Sequence, residues 1–309
     1  AATFGKARSL MREHREETAG PFDLPGFVLS GFGLAAIAYA LNEGPRLGWS
    51  EPHVALLGIG GVISFALLVY VETHKPHPML ALRLLRDRMF RNANMVMFFA
   101  MASFLGATFV LPLYLQSLRG FSATESGLTT FPQALGMLIS SQVAGRIYGR
   151  FGPRRMVIGG MLGAATAMAP LLTLDLDSTP WLIRICMFAR GLAMGFTFVP
   201  IQASSYANIT PQDNGRASAI FSTQRQMAIS IGVALMATVL STFMPLGRRP
   251  DDPERALLGY HWAIGLSIGL AIVAALVALQ IRDRDAMHTM TRRSAPAPTP
   301  AAARSQERR

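Results

Sequence analysis

The chain has 309 residues, of which 51% are hydrophobic and only 15% are charged, and its mean hydropathy is +0.33. This balance excludes an ordinary soluble domain. A net charge of +11 is compatible with nucleic-acid binding, but the basic residues lie between apolar runs, a pattern typical of membrane topology, so we predict no nucleic-acid partner.

The apolar runs predict an all-α integral membrane protein with eight transmembrane helices, because about 20 helical residues cross a bilayer's hydrocarbon core. The eight predicted spans are residues 24–41, 54–71, 93–115, 128–148, 156–174, 181–206, 219–243 and 262–281. Since the chain starts at Ala1 and no signal peptide precedes the first basic stretch, we also expect a fragment that lacks an N-terminal part.

The spans divide the chain into five predicted regions. In order, these are a lead-in at 1–23, two helices at 24–72, a linker at 73–92, a six-helix bundle at 93–281 and a disordered tail at 282–309. Most lysines and arginines fall in alternate connections, which predicts that both termini are cytoplasmic. Within the linker, leucines and arginines alternate over residues 79–91, which favours a short amphipathic helix on the cytoplasmic leaflet with its arginines on lipid headgroups.

A basic turn lies between the spans at 128–148 and 156–174. Its four arginines repel one another in apolar surroundings, so we expect them to meet water and lipid headgroups. Gly152 and Pro153 are expected to stop the first helix and turn the chain.

Polar residues are costly in lipid, so their positions sort the helices. The spans at 156–174 and 262–281 have no ionisable side chain between their ends, and we expect them at the periphery, facing lipid all round. Arg190 and Arg225 lie inside their helices, and each needs a wet cavity or a hydrogen-bond acceptor. Gln133 shares a helix face with Ser140, and for such residues a bond to a neighbouring helix is the alternative to a substrate contact.

Two pairs of glycines have the spacing of close helix contact, Gly191 with Gly195 and Gly265 with Gly269. No nucleophile–base pair and no metal-ligand spacing is present in the sequence. We therefore predict neither an enzyme nor a bound cofactor.

Several motifs resemble those of one family as a set. They are Phe22-Asp23-Leu24-Pro25-Gly26, Leu111-Pro112-Leu113-Tyr114-Leu115-Gln116, Gly120-Phe121-Ser122-Ala123, Arg190-Gly191-Leu192-Ala193-Met194-Gly195 and Arg225-Gln226-Met227-Ala228-Ile229-Ser230-Ile231-Gly232. The set is similar to the fourteen-helix drug:proton antiporters of the major facilitator superfamily. The basic turn also resembles a gate loop of that superfamily, at Gly145, Arg150, Gly152, Arg154 and Arg155, with Gly149 where the family has an aspartate.

The resemblance implies a fold of two inserted linker helices followed by the C-terminal six-helix half, whose first, second, fourth and fifth helices line a cavity. It implies proton-coupled export of lipophilic or cationic drugs by alternating access, in a bacterial inner membrane. The implied partners are the lipid bilayer, an N-terminal half of the same transporter, a small lipophilic substrate and protons. The expected cavity residues are Tyr114, Gln133, Arg190, Phe196, Phe198, Gln202 and Arg225.

Two alternatives stay open. The first is a facilitator for a specific metabolite or organic anion, in which Arg190 and Arg225 are the charge partners of the substrate. The second is a membrane scaffold that does not transport.

Overall fold

The computed structural model describes residues 24–74, 82–246 and 250–291, and all regular elements in these ranges are helical. The α-helices are α1 (Leu24–Leu47), α2 (Pro52–His74), α3 (Arg88–Ser117), α4 (Ala123–Thr130), α5 (Pro132–Met168), α6 (Pro180–Ser205), α7 (Asn214–Ser241), α8 (Pro253–Ala278) and α9 (Met287–Thr291). Short 3-10 turns lie at Leu82–Arg86, Ala169–Thr173, Pro211–Asp213 and Asp283–Ala286. The lead-in at 1–23 and the end of the tail at 292–309 lie outside the described residues.

The all-α membrane class is confirmed by the length and apolarity of the helices. Six helical runs in the described ranges are long and apolar enough to cross a membrane, against the eight spans that the sequence predicts. One of the six, Ala123–Thr173, has 51 residues and contains a kink at Gly152. Helix α7 has 28 residues but is not among the six.

Helix α5 is two helical arms joined at Gly152. The backbone there has φ 72° and ψ 162°, a conformation that is essentially restricted to glycine. Pro153 follows at the first position of the second arm, where its fixed φ suits a helix start. The predicted turn at these two residues is therefore confirmed.

The two arms of α5 pack closely on α6 through glycines. A Cβ at Gly191 would overlap the backbone oxygen of Gln133, and one at Gly195 would overlap the Ser140 hydroxyl. The predicted contact of this pair is confirmed. The pair in α8 is different, since Gly265 has only Leu172 nearby, at 4.0 Å, and Gly269 has no atom within 4 Å in the described chain.

The second arm of α5 and helix α8 each bury one face, so the prediction that they face lipid all round is wrong. Their expected place at the periphery stays a prediction. Helix α8 buries a row of alanines, whose small side chains permit close packing on α3 and α5. The row comprises Ala263, Ala271, Ala274, Ala275 and Ala278. The opposite face exposes large apolar side chains such as Trp262 and Leu276. A lack of ionisable residues marks an apolar helix and leaves open which of its faces is packed.

Helices α1 and α2 form an antiparallel hairpin beside the bundle. Ser64 donates a hydrogen bond to the carbonyl oxygen of Leu29 at 3.0 Å, and a Cβ at Gly33 would lie 3.4 Å from the Cβ of Ser64. The hairpin meets the bundle mainly through contacts of α1 with α7.

The described part of the linker begins with a 3-10 helix that packs on the protein, and its expected place on the lipid leaflet stays a prediction. Leu84 and Leu85 pack against a buried cluster that contains Phe90, and Arg83 forms an ion pair with Asp213 at 2.8 Å. The sequence did not indicate this ion pair, because Asp213 lies 130 positions further along the chain. Residues 79–81 lie outside the described residues.

The start of the predicted disordered tail is helical in the structure. Residues 283–291 form a 3-10 turn and helix α9, and both contact α5. They dock at the Gly152 turn, where side-chain atoms of Asp283 and Met290 lie close to the glycine.

Candidate functional site

Arg190 is the most deeply buried cation among the described residues, with 1% of its surface exposed. Its guanidinium donates hydrogen bonds to the Gln133 side-chain oxygen at 2.9 Å, to the Phe104 carbonyl at 2.7 Å and to the Ser103 carbonyl at 3.2 Å. It also lies 4.9 Å from the centroid of the Phe104 ring. These oxygens and the ring face stabilise the charge, and they tie α6 to α3 and α5. The expected acceptors are present, and in this conformation the side chain is packed between helices.

Three other expected cavity residues also pack between helices. Tyr114 is fully buried, donates to the Asp175 carbonyl at 2.7 Å and meets the Tyr260 ring edge-on at 5.5 Å. Phe198 is 8% exposed and meets the Phe104 ring edge-on at 5.4 Å. Phe196 is partly buried beside the cluster that contains Tyr148.

The remaining expected residues are more open. Gln202 on α6 and Arg225 on α7 are exposed. Gln133 is half-buried and lines a cavity of about 220 Å³ between α3, α4, α5 and α6, together with Thr108 and Met187. Its side chain therefore links this cavity to the guanidinium of Arg190.

A larger cavity of about 670 Å³ lies between α1, α3 and α7. Its walls are mostly apolar, with Phe109 and Leu113 from α3 and Ile229, Val233 and Ala237 from α7. Four of its lining residues have polar side chains, namely Tyr39, Asn42, Arg46 and Ser230. A volume between about 300 and 1,000 Å³ with few polar groups is typical of small-molecule sites.

A neighbouring cavity extends this space along α7. It has about 250 Å³, shares Ala38, Leu41 and Ser230 with the larger one and reaches Gln226. Sequence reasoning missed both cavities because apolar walls on a linker helix give no polar signal. One usable signal was available, since Gln226, Ser230 and Ala237 recur at helical spacing on one face of α7.

The basic turn at 145–155, named the gate turn for its resemblance to the family's gate loop, exposes Arg146, Arg150, Arg154 and Arg155. This confirms that these side chains avoid apolar packing. The Arg150 guanidinium lies 5.9 Å from the centroid of the Phe151 ring. The Arg154 backbone N–H donates to the Asp283 carboxylate at 3.0 Å, and Gly145 is half-buried in the first arm.

The family model of the Major Facilitator Superfamily matches residues 23–233 and 96–306. The chain belongs to the Major Facilitator Superfamily. It is therefore a multi-pass membrane protein of a transporter family. Among the described residues no group of three or more histidine, cysteine, aspartate or glutamate side chains is arranged to hold a metal ion.

Curated relatives in this superfamily include named resistance proteins. The chain is 29% identical over 286 residues to the puromycin resistance protein pur8 of Streptomyces alboniger, covering 89% of this chain and 57% of that protein. It is 30% identical to the uncharacterized MFS-type transporter YhcA of Bacillus subtilis, covering 70% of this chain and 41% of YhcA. It is 28% identical to the multidrug resistance protein B homolog of Mycobacterium tuberculosis, covering 71% and 42%. The chain thus spans about half the length of the curated relatives it matches.

Proposed function

We propose that this chain works in a proton-coupled exporter that moves lipophilic or cationic small molecules out of a bacterial cell by alternating access. The observation that carries the proposal is the apolar cavity of about 670 Å³ between helices of membrane-spanning length. Its volume suits a drug-sized molecule, and its four polar residues suffice to orient one. The names of the relatives, which include puromycin and multidrug resistance proteins, point in the same direction.

The proposed membrane topology has eight crossings. The two arms of α5 each cross once, since the first arm alone has about 20 residues and a length of about 30 Å, and α7 crosses despite its polar residues. Both ends of the chain and the gate turn then lie on the cytoplasmic side of the inner membrane. An N-terminal half of the same transporter is the proposed partner across the cavity.

The proposed roles of the polar residues follow from their positions. Gln202 and Arg225, which are exposed, meet the substrate path or the partner half, and Gln133 meets a substrate that enters the smaller cavity. Arg190 and Tyr114 hold together the helices that form the walls of the smaller cavity. Arg150, Arg154 and Arg155 stabilise one gate state through lipid headgroups and the partner half.

The experiment is dye uptake into everted membrane vesicles from cells that produce the protein, started by a pH jump. A lipophilic cation such as ethidium is expected to accumulate only when the gradient is present. Vesicles without the protein are the control. Equal uptake with and without the protein, or uptake that persists after the gradient is collapsed, would contradict the proposal.

A second candidate is a facilitator for an organic anion. It is favoured by the lack of an acidic hydrogen-bond partner for the Arg190 guanidinium, whose three described acceptors are neutral oxygens. The same vesicles separate the two candidates by competition. Uptake of an anionic dye that an excess of a lipophilic anion blocks more strongly than an excess of a lipophilic cation would support the facilitator.

A further inference from the structure

The second arm of α5 begins without a side-chain cap of its own. The first amide groups of a helix have no partner within it, and a serine, threonine, aspartate or asparagine usually accepts from them. Here the residue before the arm is Gly152, which has no side chain, and Pro153 has no N–H to donate. The N–H of Arg154 is the first amide of the arm that needs an acceptor.

That acceptor comes from the far end of the chain. Oδ1 of Asp283, in the 3-10 turn after α8, accepts from the Arg154 N–H at 3.0 Å. Its negative charge lies at the positive end of the helix dipole, which stabilises it further. A Cβ at Gly152 would lie 2.8 Å from the same oxygen, so the absence of a side chain makes room for the carboxylate.

The segment that carries Asp283 also contacts the first arm of α5. The hydroxyls of Tyr148 and Thr289 are 2.7 Å apart, and a Cβ at Gly149 would lie 3.4 Å from the carbonyl oxygen of Met290. Between Asp283 and Thr289, Ala286 is fully buried in a core cluster. The segment therefore holds both arms, one through a backbone amide and one through a side chain.

We propose that residues 282–290 form a clamp that fixes the two arms of α5 relative to each other, with Asp283 as its positioning residue. The bond to Arg154 sets the start of the second arm, and the bond to Tyr148 sets the end of the first. The role of the clamp in transport rests on the proposed function. In that role the clamp holds the gate turn in the conformation described, and the turn moves when the clamp opens.

The test measures opening of the clamp without using transport. Cys186, the single cysteine of the chain, is replaced by serine, and Ala286→Cys places a thiol at the buried contact. The protein is reconstituted in nanodiscs, and the rate of reaction with a membrane-impermeant maleimide is measured. We expect slow labelling in this parent, and labelling roughly 2- to 30-fold faster after Asp283→Ala, the range that loss of a helix cap implies. Asp283→Asn is expected to fall between them, since an amide oxygen still accepts but carries no charge.

Asp285→Ala is the matched control. Asp285 lies two residues further along the same turn, and no bond from its carboxylate to the gate turn occurs in the described structure. Its labelling rate is expected to equal that of the parent. Equal rates for Asp283→Ala and Asp285→Ala, or rapid labelling of the parent itself, would overturn the clamp.

Dye uptake then separates the clamp from the proposed function. Asp283→Ala is expected to lower the maximal uptake rate at least about threefold with an unchanged half-saturating dye concentration, because the clamp acts on a conformational step. A parent that labels slowly and a faster Asp283→Ala variant, with no uptake by either, would keep the clamp and reject the exporter. An unchanged maximal rate in an Asp283→Ala variant that labels faster would remove the clamp from the transport cycle.

Discussion

At the scale of single residues, Arg190 shows how a cation is accommodated within a membrane-spanning helix. Insertion of an arginine at the bilayer centre costs about 2.5–3.5 kcal/mol or more. A hydrogen bond that involves a charged group contributes roughly 1.5–3 kcal/mol, and Arg190 makes three to neutral oxygens. The bonds therefore offset the insertion cost without an acidic partner. The sequence predicts the need for acceptors, but two of the three are backbone carbonyls, which no sequence pattern marks.

Loss of the three hydrogen bonds of Arg190 is expected to lower the stability of the helix bundle. Arg190→Met removes all three hydrogen bonds and leaves the Gln133 oxygen without its donor, so we expect a loss of about 2–4 kcal/mol of stability. Thermal unfolding of the purified protein in detergent measures it. Arg184→Met is the control, because Arg184 lies near the start of the same helix, half-buried over the Trp181 ring at 4.9 Å. An Arg190→Met variant as stable as Arg184→Met but unable to transport would place Arg190 in the substrate path instead.

A second single-residue prediction concerns Arg150 in the gate turn. Arg150→Ala removes a guanidinium that stacks beside Phe151 on the exposed turn. We expect a lower turnover with nearly unchanged dye binding, because an exposed side chain that lines none of the described cavities affects the gate step rather than the site. Initial uptake rates and equilibrium dye binding measure the two quantities. Arg146→Ala is compared in parallel, and an uptake rate of Arg150→Ala equal to that of the unmodified protein would reject the gate role.

At the scale of elements, a pair of glycines four residues apart makes close contact only where a second helix packs on that face. Gly191 and Gly195 face α5, whereas Gly269 meets no atom within 4 Å among the described residues. The same distinction explains why the packing contacts of the linker and the helical start of the tail were not predicted. The sequence pattern placed Leu84 and Leu85 at the lipid surface and Asp283 in a disordered tail. It did so because the residues that they contact are not marked by any local pattern. Periodicity located the helices, while the faces that pack depended on contacts that periodicity does not contain.

The two glycine pairs provide a matched comparison. Gly195→Ala would place a methyl group on the Ser140 hydroxyl and on the backbone nitrogen of Ser141, the latter 2.8 Å away. We expect it to separate α5 from α6 and to cost roughly 1–3 kcal/mol. Gly269→Ala adds the same methyl group in open space and is expected to leave thermal stability unchanged or slightly higher. Equal unfolding temperatures for the two variants would contradict the packing of α5 on α6.

At the scale of the whole molecule, the membrane class and the turn at Gly152 follow from the sequence, but the cavity does not. Apolar runs, positive charge between them and a Gly-Pro stop are local signals. The space between α1, α3 and α7 depends on how the linker hairpin docks on the bundle, which is set by side chains such as Tyr39 and Leu113 that look ordinary in the sequence. Of the seven expected cavity residues, none lines that space, and one, Gln133, lines the smaller cavity.

The central claim is that a lipophilic molecule occupies the space between α1, α3 and α7 during export, and a cavity-filling variant tests it most directly. Val233→Trp places an indole in that space, and Leu235→Trp places the same group on the exposed side of α7. Gradient-driven ethidium uptake into everted vesicles is measured at matched protein levels. The account predicts that Val233→Trp lowers the uptake rate at least about tenfold, which corresponds to about 1.4 kcal/mol of lost binding free energy. It predicts an unchanged uptake rate for Leu235→Trp. Full uptake by Val233→Trp would contradict it.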